Sequence, residues 1–419
     1  MTPGPVEPPR LDVAIVGGGI LGLAVGRELL IRNPRLDVTV IDKEPRLAAH
    51  QTGHNSGVIH AGVYYRPGSL KALLCREGAA GLFEFCEEHG VAVERCGKLI
   101  IAKNEGELTG LEELHARGTA NGVQGLRLLS AGEIKDIEPH ATGSAALHCP
   151  STGIVDFGAV ADALALDLVA RGGNTILETE ITGIVHEHRC LRLEHRSGAI
   201  SARHAVCCAG GWADRLARLD GAAADPRIIP FRGQYLSLRP HATRLVRGLI
   251  YPVPDPSLPF LGIHLTKRIS GDVVLGPSAL MVGARDAYRV NRIDARDVLS
   301  TIAWPGTWRM ARRWWRTGLR EMRLAVSRRA FVQACTAYVP ELTTDDVGPG
   351  PAGVRAQAVA RDGALVDDFA FSESRHALHV RNAPSPAATS SLALAGMIVD
   401  RAARALDLGL SVPSTNGPG

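Results

Sequence analysis

Three glycines and an aspartate carry the first chemical signal in this sequence. Gly17, Gly19 and Gly22 follow the short apolar run from Asp12 to Val16, and Asp42 closes a second run, LDVTVID, 20 residues after Gly22. The first glycine permits a tight turn, the second lets backbone approach a pyrophosphate, and the third lets a helix pack closely on a strand. A helix N-terminus then faces the phosphates, while the acidic side chain accepts a ribose hydroxyl. The chemistry this spacing predicts is dinucleotide binding.

A second signal is polar yet nearly uncharged. The stretch HQTGHNSGVIHAGVYY, His50 to Tyr65, holds three histidines and begins eight residues after Asp42. Gly53, Gly57 and Gly62 permit close approach of backbone to a ligand. Thr52, Asn55 and Ser56 offer donors without charge, suited to a diphosphate and to the edges of a flavin ring. A nicotinamide cofactor must enter and leave, whereas a flavin is enclosed by further chain, so this stretch points to a flavin. His54 is read as a cofactor contact. His60, between Ile59 and Ala61, would point off a strand beside the cofactor. Histidine, with a reference pKa of about 6.5, suits the base that removes a hydroxyl proton while a hydride leaves carbon. His264, mid-strand in GIHLT, is the other candidate, and the sequence leaves the choice open.

Regular elements must position these groups. Leu23, Val25, Leu29 and Leu30 give the first helix an apolar face, and Asn33-Pro34 stops it. Residues 77–90, 107–120 and 156–171 read as helices, the last capped by Asp156 and ended by Gly172-Gly173. Strand, glycine turn and helix recur at HAVCCAGG and WADRLARL, around Gly210. From about Pro226 to Ala284 the runs GQYLSLRP, FLGIHLTKR and DVVLGPSAL predict antiparallel strands. The expected fold is α/β: a Rossmann-like domain into which an antiparallel-sheet, α+β substrate domain is inserted. The nucleotide-binding domain would take residues 11–95, 150–215 and 350–410, the substrate domain 96–149 and 216–349, and 1–10 and 411–419 would be flexible tails. In the last loop, Pro384 and Pro386 add stiffness, and Thr389, Ser390 or Ser391 would cap the final helix. The N-terminus of that helix, carrying roughly half a positive charge, would favour an anionic reduced flavin.

Composition narrows the classes. A net charge of +4 and only 5% aromatic residues argue against a nucleic-acid partner. The eight cysteines form no CxxC pair, which speaks against a disulfide framework or metal site and for a reduced, intracellular protein. MTPGPVEPPR resembles neither a signal peptide nor a transit peptide, and no 18-residue apolar window suggests a membrane span. Residues 305–329, PGTWRMARRWWRTGLREMRLAVSRR, interleave Arg with Trp308, Trp314 and Trp315. That mixture suits an anionic lipid interface, where a quinone would also be found. The expected location is cytoplasmic, peripheral on the inner face of the cell membrane.

These motifs carry a family resemblance. GGGILG together with HQTGHNSGVIHAGVYYRPGSLKA resembles the D-amino-acid-oxidase-like (DAO) family of FAD-dependent oxidoreductases. CGKLIIA, STGIVDF, PFRGQY, YPVPDPSLPFLGIHLT, GPGPAGVRAQAV and RNAPSPAATSSLA extend the likeness from about Asp12 to Ala405. The resemblance implies FAD and oxidation of an L-2-hydroxy acid, L-2-hydroxyglutarate, with 2-oxoglutarate as product. Electrons would go to a quinone, oxygen or another acceptor. It places the Gly210 corner under the FAD and the Ile181 backbone near its adenine. Ile20, Lys43, Val58, Trp212, Ser385 and Ala387 join the expected cofactor contacts. A hydroxy dicarboxylate brings two negative charges and calls for arginine, whose planar fork fits a carboxylate. Arg355, two residues after Gly353 in AGVRAQAV, falls where the family presents an arginine to the substrate carboxylate. Gly353 would let the backbone turn tightly there. Arg232 in PFRGQY is the second anchor, and Tyr64 a further substrate contact. Two other functions remain open to the same residues: an FAD amine or amino-acid oxidase of this superfamily, and a non-catalytic flavin-binding module.

Overall fold

Val13, Ala14 and Ile15 are fully buried, as a strand covered on both faces requires. In the computed structural model, which describes residues 10–255, 261–406 and 408–410, this strand lies inside a mainly parallel sheet. The expected tails, Arg10 apart, lie outside the described residues. The described residues form two compact units: those within 10–52, 158–228 and 366–410 make the first, those within 53–157 and 229–365 the second.

In the first unit, Leu11–Val16 pairs in parallel with Val38–Ile41 on one side and Gly198–Cys207 on the other. Gly198–Cys207 pairs in turn with Ala377–Asn382, so the end of the chain completes a sheet that its beginning starts. The helix Ile20–Arg32 follows the first strand directly. Gly26 lets the helix Phe157–Ala170 approach, since a Cβ there would sit 2.6 Å from Leu168 Cδ1. Arg32 reaches the final helix, Ser391–Leu406, through Asp400 and the Gly396 carbonyl.

The second unit carries a nine-stranded sheet. Its order runs Leu280–Met281, Arg227–Leu238, Val273–Gly276, His264–Lys267, Leu249–Pro252, Lys98–Ala102, Ala145–Cys149 and Arg127–Ser130, with Val347–Val359 also paired to Arg227–Leu238. From Leu280–Met281 to Arg127–Ser130 consecutive strands pair antiparallel, as expected, except where Ile250 lies parallel to Leu99. Alternation along Lys98–Ala102 divides the core. Leu99 and Ile101 pack with Ile250, Leu265, Phe331 and Val339, while Ile100 and Ala102 pack with Leu147, Cys149 and Tyr251.

Four segments differ from the expected boundaries, one being residues 216–228, which fall in the first unit. Residues 53–95 and 150–157 fall in the second unit because Val58 pairs with Ile154, and Val93 with Val155, in a separate small sheet. Residues 350–365 fall there because Val347–Val359 joins the large sheet. The helix expected from residue 77 is Leu70–Glu88, begun by Ser69, whose Oγ accepts the Ala72 N–H. All eight cysteines are free thiols, and Cys207, at the end of its strand, and Cys208, just past it, are both buried.

Candidate active site

The first unit builds a phosphate cradle at the end of its central strand. Gly17 has φ +119°, and a Cβ on it would stand 2.3 Å from the Cys208 carbonyl oxygen. A Cβ on Gly22 would stand 1.9 Å from the Gly17 oxygen. Both positions therefore exclude a side chain. Gly19 is the residue before the helix Ile20–Arg32 and supplies no side-chain cap. The Ile20 N–H instead donates to Thr52 Oγ1 at 3.1 Å. Asp42 Oδ2 accepts the Gly18 N–H at 2.6 Å, and its Oδ1 accepts the Glu44 N–H at 2.8 Å. Each carboxylate oxygen keeps a second lone pair, which a ribose hydroxyl can use.

Around this cradle sits a charged cluster. Lys43 Nζ pairs with Glu44 and lies 4.0 Å from the Trp212 ring centroid. His50 Nε2 meets Glu44 Oε1 at 2.8 Å, and its ring lies 4.5 Å from Trp212. Burial lowers the His50 pKa, partly opposed by Glu44. Gly210 (φ +49°) precedes Trp212 and lies against Gln51. Ile181 packs among Val16 and Ile41 at the ends of the first two strands.

The last loop leaves two of the three expected cap hydroxyls unused. The final helix begins at Ser391, and Leu394 N–H donates to the Ser390 carbonyl at 2.7 Å. Yet the Oγ atoms of Ser390 and Ser391 are buried with no hydrogen-bond partner, so neither hydroxyl caps the helix. Both stand at the positive end of a 16-residue helix. Pro384 accepts the Ala387 N–H at 3.0 Å, which folds the loop, while Ser385 is exposed.

The rest of the histidine-rich stretch belongs to the second unit. Asn55 Oδ1 accepts the Gly57 N–H at 2.8 Å, a self-contained turn, and Gly57 has φ +75°. Ser56 is half-buried and Val58 is in a strand. His54 stacks on Tyr288 at 3.9 Å. Arg232 Nη2 donates to the Tyr288 carbonyl at 3.2 Å, so it braces this stacked pair, and burial lowers its pKa. Gly353 is extended strand, not a tight turn: a Cβ there would stand 2.3 Å from the His54 carbonyl oxygen. Its smallness brings the strand that carries Arg355 against the His54 backbone.

His60 and His264 come together with Arg355. His264 is 6% exposed, stacks on Tyr251 at 4.1 Å, and places Nδ1 3.0 Å from the Gly262 carbonyl. A carbonyl only accepts, so Nδ1 carries the proton and Nε2 keeps its lone pair. Burial, then the charges of Arg355 and Lys98, pull the His264 pKa down to about 3. Burial, Lys98 and His264 pull His60 down to about 3. Tyr64 and Tyr251 are raised by burial, so both stay phenols. Two members of this group escaped sequence reading. Tyr251 gave no signal. Lys98 sat in GKLIIA, which reads simply as a strand, and only its lysine in an otherwise apolar run could have marked it.

A model of the FAD dependent oxidoreductase (DAO) family matches residues 12–401. Mitochondrial L-2-hydroxyglutarate dehydrogenase of Homo sapiens is 45% identical over 414 residues, 95% of this chain and 89% of that protein. L-2-hydroxyglutarate dehydrogenase of Indibacter alkaliphilus is 41% identical over 390 residues, 93% of this chain and 98% of that protein. Among solved structures, dithionite-reduced L-α-glycerophosphate oxidase from Mycoplasma pneumoniae with FAD bound superposes with TM-score 0.78 at 23% identity, covering 97% of each chain. Glycine oxidase from Geobacillus kaustophilus gives TM-score 0.69 at 21% identity, covering 97% of this chain and 100% of that one. These two share the fold.

Proposed function

Because the chain belongs to the DAO family of FAD-dependent oxidoreductases, we propose that it oxidises L-2-hydroxyglutarate to 2-oxoglutarate. The observation that carries this reading is its identity of 41–45% to L-2-hydroxyglutarate dehydrogenases over more than nine-tenths of its length. The residues present fit FAD. Gly17 and Gly22 leave a cradle that any Cβ would fill, Asp42 keeps lone pairs for a ribose, and Ser390 and Ser391 hold partnerless buried hydroxyls at a helix start. When bound, FAD supplies the acceptor for the hydride from C2 of the substrate.

The protein's own groups do the rest. Arg355 binds the 1-carboxylate with its two-pronged fork. His264 takes the C2 hydroxyl proton on Nε2, since the Gly262 carbonyl fixes the other proton on Nδ1. A base with a pKa near 3 would be weak. The carboxylates of a bound substrate offset the cations that depress it, and so raise His264 toward useful basicity. His60 lines the same cluster and carries the same depression. Anaerobic titration with L-2-hydroxyglutarate should bleach the flavin spectrum. Bleaching by an amino acid or amine instead would favour the amine-oxidase alternative, and bleaching by none of them the non-catalytic one.

We infer further that residues 305–326 rest on an anionic membrane surface, where a quinone takes the electrons. The helices Pro305–Arg313 and Trp315–Val326 expose Trp308, Trp315 (56%), Leu319, Met322 and Val326 (80%) beside Arg312, Arg313, Arg316 and Arg323. Trp304, in contrast, is buried and donates Nε1–H to the Val359 carbonyl at 3.0 Å, while Trp314 packs against the cluster that contains it. Among the described residues no helix is long and apolar enough to cross a membrane.

A further inference from the structure

Lys98 is a cation that the chemistry above leaves unused. It opens the strand Lys98–Ala102 and is only 2% exposed. Its ammonium lies 4.6 Å from the Tyr64 ring centroid and 5.1 Å from that of Tyr251, on the face of the sheet that holds Ile100, Ala102 and Cys149. Ring faces attract a cation but do not neutralise it. Among the described residues, no carboxylate pairs with Lys98, and burial pulls its pKa below the ordinary lysine value. A buried lysine in an apolar core is ordinarily paired, because removing an ammonium from water is costly.

Its position relates it to the substrate residues. Tyr251 lies under Lys98 on one side and stacks on His264 at 4.1 Å. His264 feels the charge of Lys98 and of Arg355. Two cations thus act on one histidine, and a hydroxy dicarboxylate has two anionic ends about one hydroxyl-bearing carbon. A single arginine matches only one of them.

We propose that Lys98 binds the substrate carboxylate remote from the reacting carbon, so that it selects dicarboxylates while Arg355 holds the 1-carboxylate. This assignment rests on the hydroxy-dicarboxylate reading above. It makes the pair Lys98 and Arg355 a measure of substrate length and charge, with His264 between its ends.

The test compares kcat/KM for L-2-hydroxyglutarate with that for L-2-hydroxyvalerate, which keeps five carbons but lacks the second carboxylate. The wild type should prefer the dicarboxylate strongly. Lys98→Met should lower kcat/KM for the dicarboxylate on the order of 30-fold or more, as expected for removing one partner of a buried charge pair, so the preference collapses. Lys98→Arg should restore part of it. Arg355→Met should lower both substrates together and keep their ratio. Lys98→Met should also move the acid limb of the pH profile upward, because His264 loses a cation, and a purely structural lysine would not move it. Equal losses on the two substrates with Lys98→Met overturn the assignment. If that variant fails to retain FAD, competition in the wild type decides: glutarate should inhibit far better than pentanoate, and equal inhibition overturns it. A wild type that oxidises neither hydroxy acid overturns the function and this assignment together, whereas loss of selectivity alone separates the two.

Discussion

Arg355 and Arg232 looked alike in sequence, and their surroundings divide them. Arg355 acts on His264, Tyr251 and Tyr235, whereas Arg232 holds the Tyr288 carbonyl that backs His54. Arg355→Met should therefore lower kcat/KM about 30-fold or more with FAD content kept. Arg232→Met should mainly lower the melting temperature; a wild-type kcat/KM in Arg355→Met beside a large loss in Arg232→Met would reverse the two roles. The histidines give a pH prediction. The folded pKa of His264 is about 3, against about 6.5 for an unfolded histidine, so the unfolded chain binds the extra proton between these values. Stability is thus full above pH 6.5 and falls as pH drops toward 3. Tm measured from pH 7.5 to 4.5 should fall less steeply in His264→Gln than in wild type. His60, His264 and Arg355 could be singled out as candidates because their motifs are local. Lys98 was not, because its meaning comes from Tyr64 and Tyr251, far away in the chain, and from having no carboxylate partner among the described residues.

At the level of elements, the glycine-rich turn was the most legible feature, since Gly17 and Gly22 each answer to a stated clash. Gly22→Ala would push a methyl against the Gly17 oxygen, so the variant should purify colourless or with much reduced FAD per chain. Normal FAD content would show that the helix can shift to make room. The final helix was legible as a helix; of its expected cap residues, Ser390 and Ser391 are typical by type, yet their hydroxyls are enclosed without hydrogen-bond partners. The Arg and Trp run was legible as amphipathic, though composition could not say which tryptophans turn inward. Co-sedimentation with anionic liposomes should be lost at high salt and weakened in a Trp315→Ser, Leu319→Ser double variant. Binding that ignores both changes would exclude these helices as the contact.

For the whole molecule, the nucleotide motif and the antiparallel runs revealed two units, while the partition of residues 53–95 and 350–365 did not emerge. Those segments are decided by strand partners distant in sequence, such as Val58 with Ile154, and a short apolar run does not name its partner. Flavin removal should lower Tm, and FAD, not NADH, should restore it. One feature of the first unit reaches beyond the finished protein. Arg32 at the end of the first helix pairs with Asp400, 368 residues later, and Gly198–Cys207 gains its neighbour Ala377–Asn382 only near the end of the chain. During synthesis the opening helix leaves the ribosome long before the final helix exists. The side of Ile20–Arg32 that meets the final helix must wait, uncovered, for almost the entire chain to be translated. Shelter by a chaperone during that interval follows from this order of assembly, and chains arrested before the final helix should be the ones that aggregate.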